Sequence, residues 1–531
     1  MRRLLTIILL FSIFSSFTAC SGSPLQNDEV DGFKIAVCLA SEPLTMDPAL
    51  NNTIDGAIML NHAFEGLVKW VDDGKGNAVL APGMAESWDV SDDSLTYTFH
   101  IRKEASWSDG EPVTAHDFEY AWRRLVDPKT GAEYSYILDC VKNAAEISSG
   151  QMSPYRLAAY ALDDYTFEVT LHTAVTYFIN IAAFPATFPV REDIIEKYGE
   201  QWIFSSSSYV TNGPYTMTEW VHNSYIRMKA NENYYDASNL GPDTIKFVLM
   251  RDNKAILAAF NNNELDFARY FPVDKAKGLL ESDQIKIANY IGTCYVSFQT
   301  ESIPFSDPQL REALSLAIDR NYIVSKVTGT GEIPATGLVP YGIHDATGLG
   351  SDFRELGGAY YSDDYELNCE KAKQLLAEAG YSDLEDFPVV ECIYKSGDRN
   401  REIAEALKTM WETKLGIKVD MTELDRDEFF DRRKEGDYSI LINGWIADYN
   451  DPICFLDIWV SENANNDAKY SNPSYDELIY KAKTTKDKDE RFELMHDAED
   501  MLMADHIVAP IYFYTQPYMI SDRLSGVYYT P

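Results

Sequence analysis

The segment best suited to binding chemistry is residues 444–452, which read GWIADYNDP. The preceding residues 438–442 form a β-branched run, which predicts a short buried strand. We expect this strand to end at Gly444, where the backbone can turn freely. Asp448 would then lie at the C-terminal end of a strand, where open α/β sheets bind ligands. Its carboxylate could hold a cationic group there through charge-assisted hydrogen bonds.

The same acid has a purely local explanation. Asp, Asn and Pro are common in turns because their side chains or rings favour turn geometry. Spacing alone favours the turn, so the ligand-anchor hypothesis for Asp448 depends on the wider pattern of the chain.

Motifs for catalysis and for metal or cofactor binding are absent from the sequence. It contains no G-x-S-x-G, H-E-x-x-H, P-loop or G-x-G-x-x-G pattern, and its eight histidines are dispersed. The adjacent acids Asp163 and Asp164 would point to opposite faces of a strand, which does not suit paired acid/base work. An enzyme, including a secreted hydrolase acting on peptides, is therefore not favoured, and we expect no cofactor and no metal.

Charge and length narrow the function classes further. The chain has 531 residues and a formal net charge of −38. That length predicts two or three lobes, and that charge argues against a nucleic-acid partner. An acidic surface suits a protein working in bulk solvent, and it weakly favours cationic or zwitterionic ligands.

The N-terminus has the composition of an export signal. Arg2 and Arg3 form a basic region, and residues 4–17 form an apolar run too short to span a bilayer comfortably. We therefore predict a signal peptide over residues 1–19. No later stretch is long and apolar enough to cross a membrane.

A lipid anchor is predicted directly after this signal. Residues 17–20 read FTAC, like a bacterial lipobox, with the small Ala19 before the cleavage point and Cys20 as the lipidated residue. The polar residues 20–31 would be a flexible tether. Export without lipid is the alternative. The other cysteines form no C-x-x-C pair, and we predict buried free thiols for them: Cys38, Cys140, Cys294, Cys369, Cys392 and Cys454.

The elements that must position Asp448 read as alternating strands and helices. Period-two alternation at 95–101 and 165–171 predicts strands with one buried face. Asp307 and Pro308 predict a helix start, and residues 398–415 predict a helix that ends at Gly416. Strands alternating with helices indicate layered α/β lobes. The chain shows no clear division into consecutive domains, which suggests that the lobes share segments.

Several motifs together carry a family resemblance. They resemble the oligopeptide-binding lipoproteins that serve ABC importers, the peptide/nickel type of solute-binding proteins (family 5). The resemblance covers nearly all of the chain after the tether and rests on these segments: 82–88 (PGMAESW), 97–102 (YTFHIR), 107–118 (WSDGEPVTAHDF), 212–215 (NGPY), 304–307 (PFSD), 313–320 (ALSLAIDR), 444–452, 471–473 (SNP) and 510–514 (PIYFY).

This resemblance implies an α/β fold of the type II periplasmic-binding-protein kind. Two lobes would close about a hinge, and the fold would comprise three structural domains. The implied boundaries are 32–70, 191–295 and 509–531 for domain I, 71–190 for domain II, and 296–508 for domain III. Relatives usually continue to a last strand, so the final part of domain I is either naturally short or lacks an edge.

The resemblance also implies roles for individual residues. Asp448 would pair with the α-amino group of a peptide. The main chain of Gly444, Trp445 and Ile446 would bond to the peptide backbone, as in strand addition. The remaining implied ligand-binding residues are Tyr134 and Tyr514, which would line the site, Ile54, which would contact the ligand backbone, and Arg433, which would hold the C-terminal carboxylate. Some family members have a second cationic residue for this carboxylate. Its position corresponds to Ile442, which is apolar in this chain.

We therefore expect an extracytoplasmic receptor that captures oligopeptides and delivers them to the subunits of an ABC permease. It would be a monomer, held on the cell membrane by its lipid and facing the periplasm in a Gram-negative cell. The alternative keeps the fold and changes the solute to a nickel complex, haem or an oligosaccharide.

Overall fold

A computed structural model describes residues 32–527, except for 73–77, 176, 346–350, 385–386, 462, 464 and 486. The side chains of Asn289 and Asp427 are also left undescribed. The signal peptide, the Cys20 lipidation site and the tether lie outside the described residues and stay predictions.

The strands of the described residues fall into three sheets. In chain order they are β1 Lys34–Leu39, β2 Val68–Asp72, β3 Ala78–Pro82, β4 Ala85–Val90, β5 Thr96–Ile101, β6 Ala159–Asp163, β7 Thr166–Thr170, β8 Tyr215–Val221, β9 Tyr225–Ala230, β10 Thr244–Leu249, β11 Phe267–Ala268, β12 Lys286–Phe298, β13 Ile333–Pro334, β14 Val390–Lys395, β15 Val419–Leu424, β16 Ile440–Ile446 and β17 Val508–Ile520.

The helices alternate with these strands, as the sequence predicts for an α/β protein. They are α1 Ile54–Ala63, α2 Ala115–Val126, α3 Ala144–Ser148, α4 Phe178–Ile181, α5 Glu192–Tyr198, α6 Asn253–Asn261, α7 Ala276–Glu281, α8 Pro308–Leu316, α9 Arg320–Tyr322, α10 Phe353–Gly357, α11 Tyr365–Glu378, α12 Asp398–Met410, α13 Arg426–Glu435, α14 Ile453–Leu456, α15 Pro473–Thr484 and α16 Lys488–Ala504.

The largest sheet joins distant parts of the chain. Its strand order is β15-β14-β16-β12-β17-β11-β1-β10-β9-β8, and β13 pairs with β17 as an eleventh strand. A smaller sheet has the order β4-β5-β7-β6, and β2 pairs with β3 alone. The parallel pair β14–β15 lies at one end of the large sheet and the parallel pair β1–β10 lies in its other half, so two α/β units share one sheet.

The two long strands β12 and β17 connect these units. Each has 13 residues, a length of about 43 Å at roughly 3.3 Å per residue. Their antiparallel pairing is interrupted between Asn289 and Thr293. One end of β12 pairs with β16, and the far end of β17 pairs with β11. This interruption lies within the long ladder that joins the two units.

Local predictions agree with these elements where the pattern was strong. Asp307 caps α8 by accepting from the Gln309 N–H, and Pro308 begins that helix. The helix predicted over 398–415 is α12 followed by one π-helical turn, and Gly416 ends it with a φ of 75°. The six cysteines named above are buried and unpaired, which confirms the prediction of free thiols. Within the described part of the chain, no helix has the length and apolarity of a membrane span.

Candidate functional site

The strand that leads to Asp448 has one open edge. β16 pairs with β12 from Ile440 to Ile446, but its pairing with β14 covers only Ile440 to Ile442. β14 ends at Lys395, so among the described residues no strand continues beside residues 443–446. Backbone groups that point to this side are free to pair with an added extended chain.

The prediction that this strand ends at Gly444 is wrong. β16 runs through Gly444 to Ile446, and the glycine serves packing instead of a turn. A Cβ at this position would lie 2.2 Å from the Tyr514 hydroxyl oxygen, so only glycine allows Tyr514 to pack against the strand. Asp448 still lies just beyond the C-terminal end of the strand, as expected.

The loop after β16 is fixed by a separate contact at each position. The Asp448 N–H donates to Cys454 Sγ at 3.2 Å. The Tyr449 ring stacks on Tyr177, with centroids 4.7 Å apart and planes 14° apart. The Asn450 side chain donates to the Gly342 carbonyl at 2.8 Å and accepts from the His344 N–H at 3.1 Å.

A buried ion pair lies beneath this loop. Both carboxylate oxygens of Asp451 accept from the Arg491 guanidinium at 2.8 Å, and the two side chains are 6% and 2% exposed. Asp451 also accepts from the Ile453 N–H at 3.0 Å, at the start of α14. Asp451 is therefore the structural acid of the segment, and Arg491 pairs with it instead of with Asp448.

Asp448 lines a cavity of about 180 Å³. The other walls come from distant segments: the loop and first turns of α1, Tyr134 in the short 3₁₀ helix Glu133–Leu138, and residues 180–186. By the predicted boundaries these segments belong to domains I and II, whereas Asp448 belongs to domain III. Ile54 also lines this cavity and is 54% exposed.

The electrostatics of Asp448 are those of a half-buried acid without a cationic partner among the described residues. The Tyr136 hydroxyl lies 3.4 Å from Asp448 Oδ2. Burial raises the pKa of Asp448 to about 6 from its ordinary 3.8, and the hydrogen bond from Tyr136 opposes this rise. Burial and the Asp448 charge together raise the pKa of Tyr134 to about 12. No Lys, Arg or His of the described residues pairs with Asp448, so the site lacks its counter-charge.

The structure distributes the other predicted residues along the same region. Trp445 is half-buried and Ile446 is 39% exposed on the open part of β16. Tyr514 lies under Gly444 in β17, away from the cavity around Asp448. Among the described residues, the structure therefore brings Asp448, Tyr134 and Ile54 together in one cavity, whereas Tyr514 contacts Gly444 and does not line that cavity.

Arg433 lies apart from that cavity, on α13. Its Nε is 3.3 Å from Asp467 Oδ2, and its guanidinium stands 4.9 Å from the centre of the Phe430 ring. The pKa of nearby Lys395 is lowered by burial and by the positive charges of Arg426 and Arg433. This end of β14 is therefore a cationic region.

Sequence reasoning did not identify Tyr136, Asp451 or Arg491. Tyr136 lies two residues after Tyr134, and Asp451 lies within the same motif as Asp448, so both had a local signal. Arg491 had none, because it meets Asp451 only through the fold. No group of three or more potential metal ligands occurs in the described part of the chain.

Removing the Asp448 charge should change how the stability of the ligand-free protein depends on pH. Because its folded pKa is raised, the folded state binds the proton more tightly than the unfolded chain between about pH 4 and pH 6. This contribution is fully present below pH 4 and is lost as pH rises through 6. The two-unit shift corresponds to about 3 kcal/mol. Asp448→Asn should therefore be more stable than the wild type by up to that amount at pH 7.5.

Urea denaturation of both ligand-free proteins at pH 4, 5.5 and 7.5 measures this difference. We expect the gap in unfolding free energy to close toward pH 4. A gap that stays constant across the three pH values would show that Asp448 is not an uncompensated acid in the folded protein.

Comparisons with known proteins agree with this geometry. Residues 79–467 match the family model for bacterial extracellular solute-binding proteins, family 5. The chain is 34% identical to the dipeptide-binding protein DppE of Bacillus subtilis over 491 residues, which cover 92% of this chain and 88% of that protein. It is 31% identical to the oligopeptide-binding protein OppA of the same species, over 99% of this chain and 96% of that protein.

A solved structure is similar over nearly the same length. Haemophilus influenzae OppA in complex with the peptide RPPGFSPFR superimposes with a TM-score of 0.78 and 30% identity, covering 93% of this chain and 96% of that chain.

Proposed function

Because this chain belongs to family 5 of the bacterial extracellular solute-binding proteins, we propose that it captures peptides by their free α-amino group and delivers them to an ABC permease. The observation that carries the proposal is Asp448, a half-buried acid that lines a cavity without a cationic partner among the described residues. A peptide ammonium supplies the missing charge.

Family membership confirms two predictions from the sequence. The fold is of the α/β periplasmic-binding-protein kind, as the similarity to solved structures shows. The chain is a solute receptor of its family and not an enzyme. The division into three domains with the boundaries given above stays a prediction.

The open edge of β16 supports a backbone-based mode of capture. Residues 443–446 leave main-chain donors and acceptors unpaired on the side where β14 has ended. An extended peptide that begins at Asp448 can lie along this edge and form ladder hydrogen bonds. Such bonds do not depend on side chains, which suits a receptor for many peptides.

The closing of the lobes would complete the site. Asp448 belongs to one side of the cavity, and Tyr134, Tyr136 and Ile54 belong to the other. A ligand that contacts both sides binds the closed form better than the open form and shifts the population toward it. The interruption in the β12–β17 ladder is our candidate for the hinge.

The cellular placement follows from the N-terminal prediction. We propose that Cys20 carries a lipid that holds the receptor at the outer face of the cytoplasmic membrane, with residues 20–31 as its tether. The lipid would then hold the receptor on the same membrane that contains the permease.

Calorimetry with matched ligands tests the proposed function. We expect a tripeptide with a free α-amino group to bind, and the same peptide with an acetylated N-terminus to lose at least thirtyfold in affinity, because acetylation removes the charge that pairs with Asp448. Equal binding of both forms, or preferential binding of a cello-oligosaccharide, would contradict the proposal. The second outcome would favour the alternative of another solute on the same fold.

Arg433→Gln tests the predicted site for the C-terminal carboxylate. We expect roughly tenfold weaker binding of a peptide with a free carboxylate, and a smaller change for its C-terminal amide, because only the carboxylate forms a charge-assisted bond. Arg432→Gln is the matched control, since both arginine side chains are 20% exposed on the same helix. Equal losses for the acid and the amide would remove Arg433 from the site.

A further inference from the structure

From the cavity beside Asp448 we infer that this receptor selects peptides by their first side chain and prefers one that is bulky and uncharged, such as Phe or Leu. This inference rests on the proposed function, because it takes Asp448 as the anchor of the α-amino group. It adds a preference that main-chain capture alone would not produce.

The position of the cavity indicates which side chain of a peptide would enter it. Asp448 itself forms part of the cavity wall. In a peptide, the first side chain branches from the carbon that carries the α-amino group. An ammonium bound to Asp448 therefore places the first side chain, and no later one, in this space.

The size of the cavity suits a large side chain. Its volume is about 180 Å³, and an apolar protein cavity of about 150 Å³ holds a benzene ring. A Phe or Leu side chain fills such a space, whereas a Gly leaves it without contacts. Burying a large apolar side chain favours binding by roughly ten- to a hundredfold.

The chemistry of the cavity wall favours an apolar side chain. The apolar part includes Trp70, Ala57, Phe184 and the ring of Tyr134. Tyr134 packs on Phe184 with ring centroids 5.1 Å apart, which gives the cavity an aromatic side. An aromatic or branched aliphatic side chain finds complementary contacts there.

Three polar residues of the wall, Asn51, Asn52 and Thr53, are hydrogen-bonded within the protein, and the amides of Asn61 and Asn180 also line the cavity. The Asn52 side chain donates to Glu133 Oε2 at 2.7 Å, and Asn51 Oδ1 accepts from the Thr53 N–H at 3.2 Å. Glu133 is exposed and is not part of the cavity wall.

The charge of the cavity excludes ionised side chains. Asp448 is the charged residue of its lining, and the α-ammonium uses that charge. A Lys side chain would bring a second cation without a second acid, and a Glu side chain would face the carboxylate of Asp448. Both situations leave a buried charge uncompensated, which is costly.

Calorimetry with tripeptides X-Ala-Ala tests this inference. With X as Phe or Leu we expect affinities roughly ten- to a hundredfold higher than with Gly, and with Lys or Glu we expect values at or below that of Gly. A Gly or Lys peptide that binds within threefold of the Phe and Leu peptides would overturn the inference while leaving the proposed function intact. Failure of all five peptides to bind would instead refute the proposed function.

A variant that fills the cavity separates this site from general effects. Ala57→Leu, in α1, should reduce binding of the Phe and Leu peptides at least tenfold and leave the Gly peptide within threefold of the wild type. Ala406→Leu is the matched control, because Ala406 is also a half-buried helical alanine but lines a different groove. Unchanged preference in Ala57→Leu would contradict the assignment of this cavity to the first side chain.

Discussion

Asp448→Asn should lose peptide binding at neutral pH by roughly thirtyfold to a few thousandfold, as measured by calorimetry. The substitution preserves the shape of the side chain but removes the negative charge. Removing one partner of a buried charge pair costs about 2–5 kcal/mol of binding free energy. The remaining charge, here the peptide ammonium, stays buried without compensation. Among the described residues the cavity offers that ammonium no second acid, so the full loss should appear.

Asp457→Asn is the matched control for this loss. Asp457 is also half-buried, lies nine residues further along the chain, and pairs with Lys483 at 2.6 Å. It removes one negative charge from the same region without touching the cavity, so peptide affinity should stay within threefold of the wild type. If both variants lost affinity equally, a general effect of negative charge would replace the specific role of Asp448.

Arg491→Ala should destabilise the folded protein by about 3–5 kcal/mol, the usual cost of leaving one partner of a buried ion pair alone. Arg491 makes two hydrogen bonds of 2.8 Å to Asp451 and one of 3.1 Å to the Ala482 carbonyl. Without it, the carboxylate of Asp451 remains buried under the Asp448 loop. We expect a lower urea midpoint and weaker peptide binding, because the same loop carries the anchor.

Two further variants keep this prediction specific. Lys481→Ala breaks an exposed ion pair with Glu477 on α15 and should leave the urea midpoint unchanged, since exposed pairs contribute little. The double change Asp451→Asn with Arg491→Met removes both charges and should recover most of the lost stability. A wild-type midpoint in Arg491→Ala would mean that the pair does not hold this loop.

The position of Asp448 just beyond a strand could be predicted because its signal in the sequence is local. The β-branched run 438–442 and the motif 444–452 are adjacent, so the strand and the position of Asp448 could be predicted together. The prediction for Gly444 failed for a non-local reason, because its cause is Tyr514 on a different strand. A glycine within a motif therefore indicates close approach as readily as a turn.

Contacts between distant segments could not be predicted from patterns. Tyr136 and Asp448 are 312 residues apart, and Asp451 and Arg491 are 40 apart. Neither pair is related by a periodicity or a motif spacing that can be recognised in the sequence. The isolation of Asp448 is also a property of the whole fold, because it depends on which cations the fold keeps away from the cavity.

The most direct measurement is the identity of the molecule that the cleft holds when the receptor is purified from cells. Denaturation followed by mass spectrometry of the released small molecules reads it without any assumption about the ligand. We expect peptides with free N-termini, released by the wild type and missing from Asp448→Asn. A sugar, a metal chelate or an N-blocked compound, released equally by both proteins, would contradict it.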